Sequence, residues 1–218
     1  MWWQELSKEL SRLLFPSPQF CLICRRYLQD EGLPICGHCV IEYGFNWKCF
    51  TSGDDLCFSF GLFQGRLKEL LHVIKYQGGF DACRALGLLL GLAIREESRL
   101  QDANYLLPVP LHSERLAKRG FNQAEVLADN IIKIWKRKVF RKAVRIKNTV
   151  PQSDLSFKQR IRNLDGAFWI VEPTLLNGKH VIIIDDIYTT GTTYRQLSRL
   201  IKSFGGRTSG VFVCSGPR

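Results

Sequence analysis

The 218-residue chain has no run of about 18 apolar residues, the length a helix needs to cross a bilayer, and this excludes a transmembrane helix from its expected architecture. It has no GxxxxGK[ST] sequence either. Gly178-Lys179 lacks both the earlier glycine and the following hydroxyl, which excludes a P-loop nucleotide site. No internal repeat, low-complexity tract or flexible linker interrupts the chain. Acids are scarce relative to bases, 20 against 31, so the net charge is +11. That deficit points to a polyanionic partner or substrate, such as nucleic acid or a phosphorylated metabolite, or to a solvated basic surface. The first residues, MWWQELSKELSRLLF, do not read as a secretory signal, because Lys8 and Glu9 break any apolar stretch.

What is present is enough apolar residue, 45%, for a sizeable core. Trp2, Trp3, Leu6, Leu10, Leu13 and Leu14 fall at helical spacing, so residues 1–17 are expected to form an amphipathic helix. Its apolar face suits the protein itself, a partner or a membrane surface. The expected location is the cytoplasm, with the inner face of the membrane as the other option.

Four of the eight cysteines form one cluster, CLIC at Cys21–Cys24 and CGHC at Cys36–Cys39. Paired CxxC turns suit tetrahedral zinc, because each turn presents two thiolates along one edge of the tetrahedron. CGHC also occurs as a redox tetrapeptide, which would need a strand before it and a helix after it. Structural disulfides are disfavoured in a reducing compartment. The favoured reading is one structural zinc held by Cys21, Cys24, Cys36 and Cys39 in a module over residues 18–50, with His38 exposed. Cys49, Cys57, Cys83 and Cys214 lack ligand spacing and read as packing or spare thiols.

Over residues 51–218, helical and strand patterns alternate. Strands are expected at Leu56–Phe63, Tyr105–Pro110, Val144–Ile146, Ala167–Val171, Val181–Ile184 and Gly210–Cys214. Helices are expected at Gly65–Lys75, around Ala85–Ile94 with Asp81 as cap, after Asn122, and over Thr192–Phe204. Residues 148–165 read as a long polar loop. The Val181 strand is apolar on both faces, as in a parallel sheet covered by helices, so the fold class is α/β. Ligands of such sheets sit at the carboxyl ends of strands.

At one such end stands VIIIDDIYTTGTTY, Val181–Tyr194. Four aliphatics lead into Asp185 and Asp186, then a turn of threonines around Gly191. This stretch resembles the binding motif of type I phosphoribosyltransferases. With LPVPLHSERLAKRGFNQAEVLA, QSDLSFKQRIRNLDGAF and the cysteine cluster, nearly the whole chain resembles the ComF/ComFC family, also called GntX-like or amidophosphoribosyltransferase-like.

The resemblance implies a type I phosphoribosyltransferase-like sheet behind a zinc finger, and a role in natural transformation and the handling of single-stranded DNA. Implied ligands are phosphoribosyl pyrophosphate with magnesium. Implied partners are single-stranded DNA, a ComFA-like helicase and a DprA-like recombinase loader. Asp185 and Asp186 would grip the ribose diol and serve as the catalytic acids, while Thr189, Thr190, Gly191, Thr192 and Thr193 would wrap the 5′-phosphate. Pro108, Val109 and Pro110, with Arg115, Lys118 and Arg119, would form the pyrophosphate loop. Asn122 and Gln123 would orient substrate or cap a helix. Gln152, Ser153, Arg160 and Asn163 would lie in a closing loop.

Two departures from the pattern stand out. Purine phosphoribosyltransferases usually carry an acid where this chain has Thr189, which argues against ordinary purine salvage. Many family members carry a second cysteine cluster, of which Cys49 and Cys57 would be the remnant. The transferase reaction itself stays open: binding phosphoribosyl pyrophosphate does not oblige a protein to transfer it.

Lys133–Lys147, KIWKRKVFRKAVRIK, contains eight cations and no acid. Lys133, Lys136, Arg137, Lys138, Arg141 and Lys142 are the candidate nucleic-acid contacts there. Trp135 and Phe140, interleaved with them, either stack on bases or belong to the core.

Overall fold

A computed structural model describes residues 20–21, 23–28, 35–76, 79–147 and 166–216. The expected N-terminal helix and the polar loop at 148–165 lie outside the described residues. The chain divides into two units, residues 1–43 and 44–218. In the first, Gly37–Glu42 forms a short helix, α1.

The second unit is built on a six-stranded sheet in the order β1-β2-β8-β7-β3-β4. Its strands are β1 (Lys48–Ser52), β2 (Asp55–Ser59), β3 (Tyr105–Pro108), β4 (Lys138–Val139), β7 (His180–Tyr188) and β8 (Arg207–Ser215). Every neighbouring pair is parallel except the edge hairpin β1–β2. A separate antiparallel pair joins β5 (Ala143–Arg145) to β6 (Phe168–Ile170). The helices are α2 (Gly65–Tyr76), α3 (Phe80–Glu96), α4 (Ser113–Arg119), α5 (Gln123–Ile134) and α6 (Thr192–Ser203). Among them, none is long and apolar enough to cross a membrane.

The sheet follows from its sequence. Val181, Ile182, Ile183 and Ile184 are fully buried, as are Leu106 and Leu107 on the neighbouring β3. β-branched side chains on a strand covered on both faces give this continuous apolar run. Leu197 and Ile201 of α6 pack on one face with Val181, Ile183 and Phe212. The amphipathic spacing of α5 places Ala124, Leu127, Ala128 and Ile131 inward, as their sequence pattern requires.

Besides the short elements α1, α4 and β4, which no sequence pattern indicated, and shifted ends of β2 and β8, three details depart from the expectations. Strand β1 is an addition, because its alternation is masked by the polar Lys48, Thr51 and Ser52. Gly79, not Asp81, caps α3, and Asp81 stands in its first turn. Strand β7 does not stop at Ile184 but runs through both aspartates to Tyr188, because β8 continues to pair with it as far as Ser215.

Helices α3 and α5 approach closely at two glycines one turn apart. A Cβ on Gly87 would lie 2.7 Å from Asn130 Cβ and 2.8 Å from Leu127 O, and one on Gly91 would lie 2.9 Å from Ile134 Cβ. Both sites therefore demand glycine for space. Gly87→Leu is expected to pry the helices apart and cost roughly 1–3 kcal/mol or more, the range of overpacking substitutions. Urea unfolding that shows less than about 0.5 kcal/mol of loss would contradict this packing.

Candidate functional site

The site grows out of the end of β7. As far as Ile184, β7 pairs with β3 on one side and β8 on the other; beyond Ile184 only β8 continues. The Val109 N–H closes the last contact on the β3 side, donating to Ile184 O at 2.9 Å. Asp185 and Asp186 thus stand on a strand that is held rigidly from one side and open on the other, at the carboxyl edge of the sheet.

Asp185 lines a small cleft with Thr189, Gly191, Thr192 and Thr193. Its Oδ1 accepts the Asp186 N–H at 2.9 Å. Burial, and then the charge of Asp186, push its carboxyl up to about 7, against the pull of that N–H, Lys75 and Arg145. Asp186 is buried, and its Oδ2 lies 2.9 Å from Lys75 Nζ. Burial lowers the Lys75 ammonium, but the Asp186 charge more than offsets it, so its pKa sits above the usual value.

The loop after the strand has the form of an anion cradle. Gly191 takes φ +70°, and a Cβ there would collide with Tyr188 Oη at 2.1 Å. It is the N-cap of α6 and offers no side chain to the first turn of the helix. The leading N–H groups of a 12-residue helix, with its positive dipole end, therefore face the cleft. Thr190 Oγ1 and Thr192 Oγ1 share a hydrogen bond of 2.9 Å that shapes the turn. The helix is anchored from below by the buried Asp55 of β2. Ser198 and Thr208 donate to its Oδ2 at 2.7 and 2.9 Å, and Lys202 pairs with its Oδ1 at 2.7 Å.

Across from β7, the Pro108–Pro110 turn is pinned by Asn122, whose Nδ2 donates to Val109 O at 3.0 Å. The Asn122 Oδ1 accepts the Ala124 N–H at 3.1 Å, so one side chain caps α5 and fixes the loop. Arg119 Nη1 donates to Gln123 Oε1 at 3.2 Å, which leaves the buried Gln123 Nε2 without a partner. Arg115 and Arg119 both act electrostatically on Arg145 of β5, whose guanidinium is lowered to about 10 by burial first and by those cations second. Arg145 also feels Asp185. Arg145 thus lies within electrostatic reach of both those cations and the acid.

Of the predicted motif residues, Asp185, Thr189, Gly191, Thr192 and Thr193 line one cleft, whereas Asp186, on the other face of the strand, is buried against Lys75 and does not line it. Gln152, Ser153, Arg160 and Asn163 lie outside the described residues. Sequence reasoning missed Lys75 and Arg145. Lys75 carries no motif signal, being one more lysine at the end of an amphipathic helix. Arg145 was hidden among the cations of the basic stretch.

That stretch does not act as one surface. Trp135 and Phe140 are 4% exposed and belong to the core. Arg141 pairs with Asp129, Lys142 with Glu172, and Lys133 Nζ donates to Asn130 Oδ1 at 2.9 Å.

In the first unit, the sulfurs of Cys21, Cys24, Cys36 and Cys39 all lie within 4.8 Å of one another. Cys21 Sγ–Cys39 Sγ is 3.8 Å and Cys24 Sγ–Cys36 Sγ is 3.6 Å. A tetrahedron of thiolates about 2.3 Å from zinc has edges of about 3.8 Å, so the cluster fits a structural zinc. The N–H groups of Cys24 and Cys36 point at Cys21 Sγ at 3.5 and 3.4 Å, supplying the donors a metal-bound thiolate needs. His38 is exposed and lies 3.2 Å from Glu42. On the β1–β2 hairpin, Cys57 pairs with Phe50 and Cys49 with Phe58, so the two cysteines face opposite sides of the ribbon.

Residues 115–214 match the phosphoribosyl transferase domain family. Competence protein F of Haemophilus influenzae is 32% identical over 197 residues, 85% of each chain. The DNA utilization protein YhgH of Escherichia coli K12 is 33% identical over 198 residues, 83% of each chain. The competence protein ComFC of Bacillus subtilis is 27% identical over 90% of this chain and 83% of its own. The chain belongs to the ComF/ComFC family. Its sheet is accordingly a type I phosphoribosyltransferase-like fold, and the cluster of four cysteines fits an N-terminal zinc module.

Two measurements probe these geometries. The purified protein is expected to carry one zinc per chain, lost in Cys21→Ser, as read by metal analysis after dialysis; retention of full zinc by that variant would dissolve the cluster. Lys75→Ala should leave Asp186 buried without its counter-ion and cost on the order of 3 kcal/mol in urea unfolding. The double variant Lys75→Ala, Asp186→Ala should lose less than the sum of the singles, and strict additivity would deny the coupling.

Proposed function

We propose that this protein, like its relatives named for competence and for DNA utilization, serves DNA uptake, by binding single-stranded DNA and, at the end of β7, phosphoribosyl pyrophosphate with magnesium. The observation that carries the ligand reading is the shared cleft. Asp185 opens onto the same space as the uncapped N-terminus of α6 and the turn at Gly191. A sugar phosphate needs acceptors for its hydroxyls and donors for its phosphate, a short distance apart, and groups of both kinds border this cleft, whose volume is about 20 Å³.

In this reading the Gly191 turn and the first N–H groups of α6 hold the 5′-phosphate, with Thr189, Thr190, Thr192 and Thr193 adding hydroxyl donors. Asp185 and Asp186 accept from the ribose diol. Arg115 and Arg119 face the pyrophosphate, where planar guanidinium forks match its oxygens. Their neighbour Arg145 raises the positive potential there. Adjacent carboxylates are hard oxygen donors and fit magnesium arriving with the pyrophosphate, with Lys75 already balancing one of them. Bound magnesium would neutralise pyrophosphate charge. A helicase and a recombinase loader are the partners that suit a protein handing on single strands.

A second reading is a working transferase that releases pyrophosphate to an unidentified acceptor. Arg145, within electrostatic reach of Asp185 and of Arg115 and Arg119, favours it, since such cations suit a leaving pyrophosphate. Thr189 stands where purine enzymes carry an acid, so the acceptor is not expected to be an ordinary purine. A pyrophosphate-release assay across candidate acceptors separates transfer from binding alone.

Titration of phosphoribosyl pyrophosphate and magnesium by calorimetry tests the ligand reading. Saturable binding is expected in the wild type and its loss in Asp185→Ala, Asp186→Ala; superimposable curves would sink the assignment. Because Asp185 must be ionised to accept hydroxyls or face a cation, affinity should rise as pH passes upward through about 7. Below that point it should fall by up to roughly tenfold per pH unit. Asp185→Asn should flatten this dependence.

A further inference from the structure

A concavity of about 830 Å³ opens at the opposite end of the sheet from Asp185. Three segments enclose it: residues 101–105 leading into β3, the residues that follow α5 into β4, and Lys179 just before β7. The pairing of Tyr105 with both Lys138 and Val181 marks this as the amino-terminal edge of the strands.

Its lining is basic. Lys136, Lys138 and Lys179 are exposed, and none of them makes an ion pair among the described residues. Arg137 is fixed in place. Its guanidinium lies 4.4 Å from the centre of the buried Trp135 ring. Its Nε donates to Ala103 O, its Nη2 to Gln101 O and its Nη1 to Lys136 O, all at 2.8–2.9 Å. Three of five guanidinium donors are used, and two remain. The one acid of the lining, Asp102, is already compensated: Arg207 pairs with it, and His180 Nδ1 lies 2.7 Å from its Oδ1. Four cations therefore face this space without an opposing free carboxylate.

The backbone around the cavity decides which anion fits. Helix α5 ends here, so its carbonyl end and partial negative charge point this way, and no helix N-terminus stands among the residues that line the cavity. A terminal phosphate, with nearly two charges, is normally cradled by a helix N-terminus, and none lines this cavity. Singly charged phosphodiesters spaced along a chain match separate, flexible lysines better. Tyr105 is partly exposed in the floor, its ring held edge-on by Phe140 at 5.5 Å. It offers a face to an unpaired base, which a duplex keeps stacked inside.

We propose that this concavity is where the protein holds the backbone of single-stranded nucleic acid, with Lys136, Arg137, Lys138 and Lys179 as phosphate contacts and Tyr105 as a stacking surface. The inference rests on the single-strand-binding reading above and gives it a place, at the pole away from the phosphoribosyl pyrophosphate cleft. The long basic stretch contributes only Lys136, Arg137 and Lys138, and Lys179 joins them from a distant part of the chain.

The test is fluorescence anisotropy with a labelled oligothymidylate of about 20 nucleotides over a series of salt concentrations. The site variant is Lys136→Glu, Lys138→Glu, Lys179→Glu. The control variant is Lys48→Glu, Lys68→Glu, Arg199→Glu, exposed residues that change the net charge equally and do not line the cavity. The site variant is expected to bind at least tenfold more weakly at about 50 mM salt, with a salt slope shallower by about 2, near 0.7 per lysine lost. Lys→Gln at the same three positions should show a smaller loss in the same direction, and the control should stay close to wild type. Binding of the site variant within twofold of wild type, or an equal loss in the control, would overturn the location while leaving single-strand binding intact. A wild type that does not bind the oligonucleotide at all would remove both. Equal affinity for a duplex of the same length would overturn the preference for single strands.

Discussion

Strand β7 is clamped on both sides over its apolar half and on one side over its polar half. This asymmetry of pairing governs the molecule. Val181 to Ile184 lie between β3 and β8, fully buried, where every N–H and C=O finds a ladder partner. Past Ile184 the β3 side turns away at its prolines, and β8 alone carries the strand to Tyr188. Two carboxylates can stand there because one side is rigid and the other open. A strand ending at Ile184 would have left both acids on a loop, without the fixed geometry that pre-organised recognition requires.

The helix that completes the cleft is secured by a buried charge. Asp55 collects two hydroxyl donors and the ammonium of Lys202. Burial raises its carboxyl, but these donors outweigh that effect, and the net shift is downward. The network ties β2, β8 and α6 together, so the anchor of the helix that borders the cleft lies far from Asp185 in sequence and on an edge hairpin with no motif of its own.

Charge is distributed just as selectively. A net charge of +11 invites the picture of a uniformly basic surface. Instead, many cations are committed internally: Lys75 to Asp186, Arg207 to Asp102, Arg141 to Asp129, Lys142 to Glu172 and Lys202 to Asp55. Among the described residues, the grouping of Lys136, Lys138 and Lys179 with Arg137 at the amino-terminal edge of the sheet carries more information than the total charge. The sheet thus has two poles: mixed acid and arginine chemistry at the carboxyl edge, and a lysine-lined hollow at the other.

Periodicity and composition determined by themselves the parallel α/β layering, the helices at Gly65 and Asn122, the four-cysteine cluster and the acid–threonine turn, because each is encoded within one short segment. A short β-branched aliphatic run between turn residues reads as a doubly covered strand, and two CxxC turns bring their own ligands together in pairs. The tertiary structure decided what no local pattern contains. It chose Lys75 as the partner of Asp186 and added Arg145 to the two predicted arginines. It sent Trp135 and Phe140 into the core and carried β7 beyond its apolar half. Each of these depends on a neighbour dozens of residues away, and a side chain's charge partner is set by where the sheet brings it, not by the residues on either side.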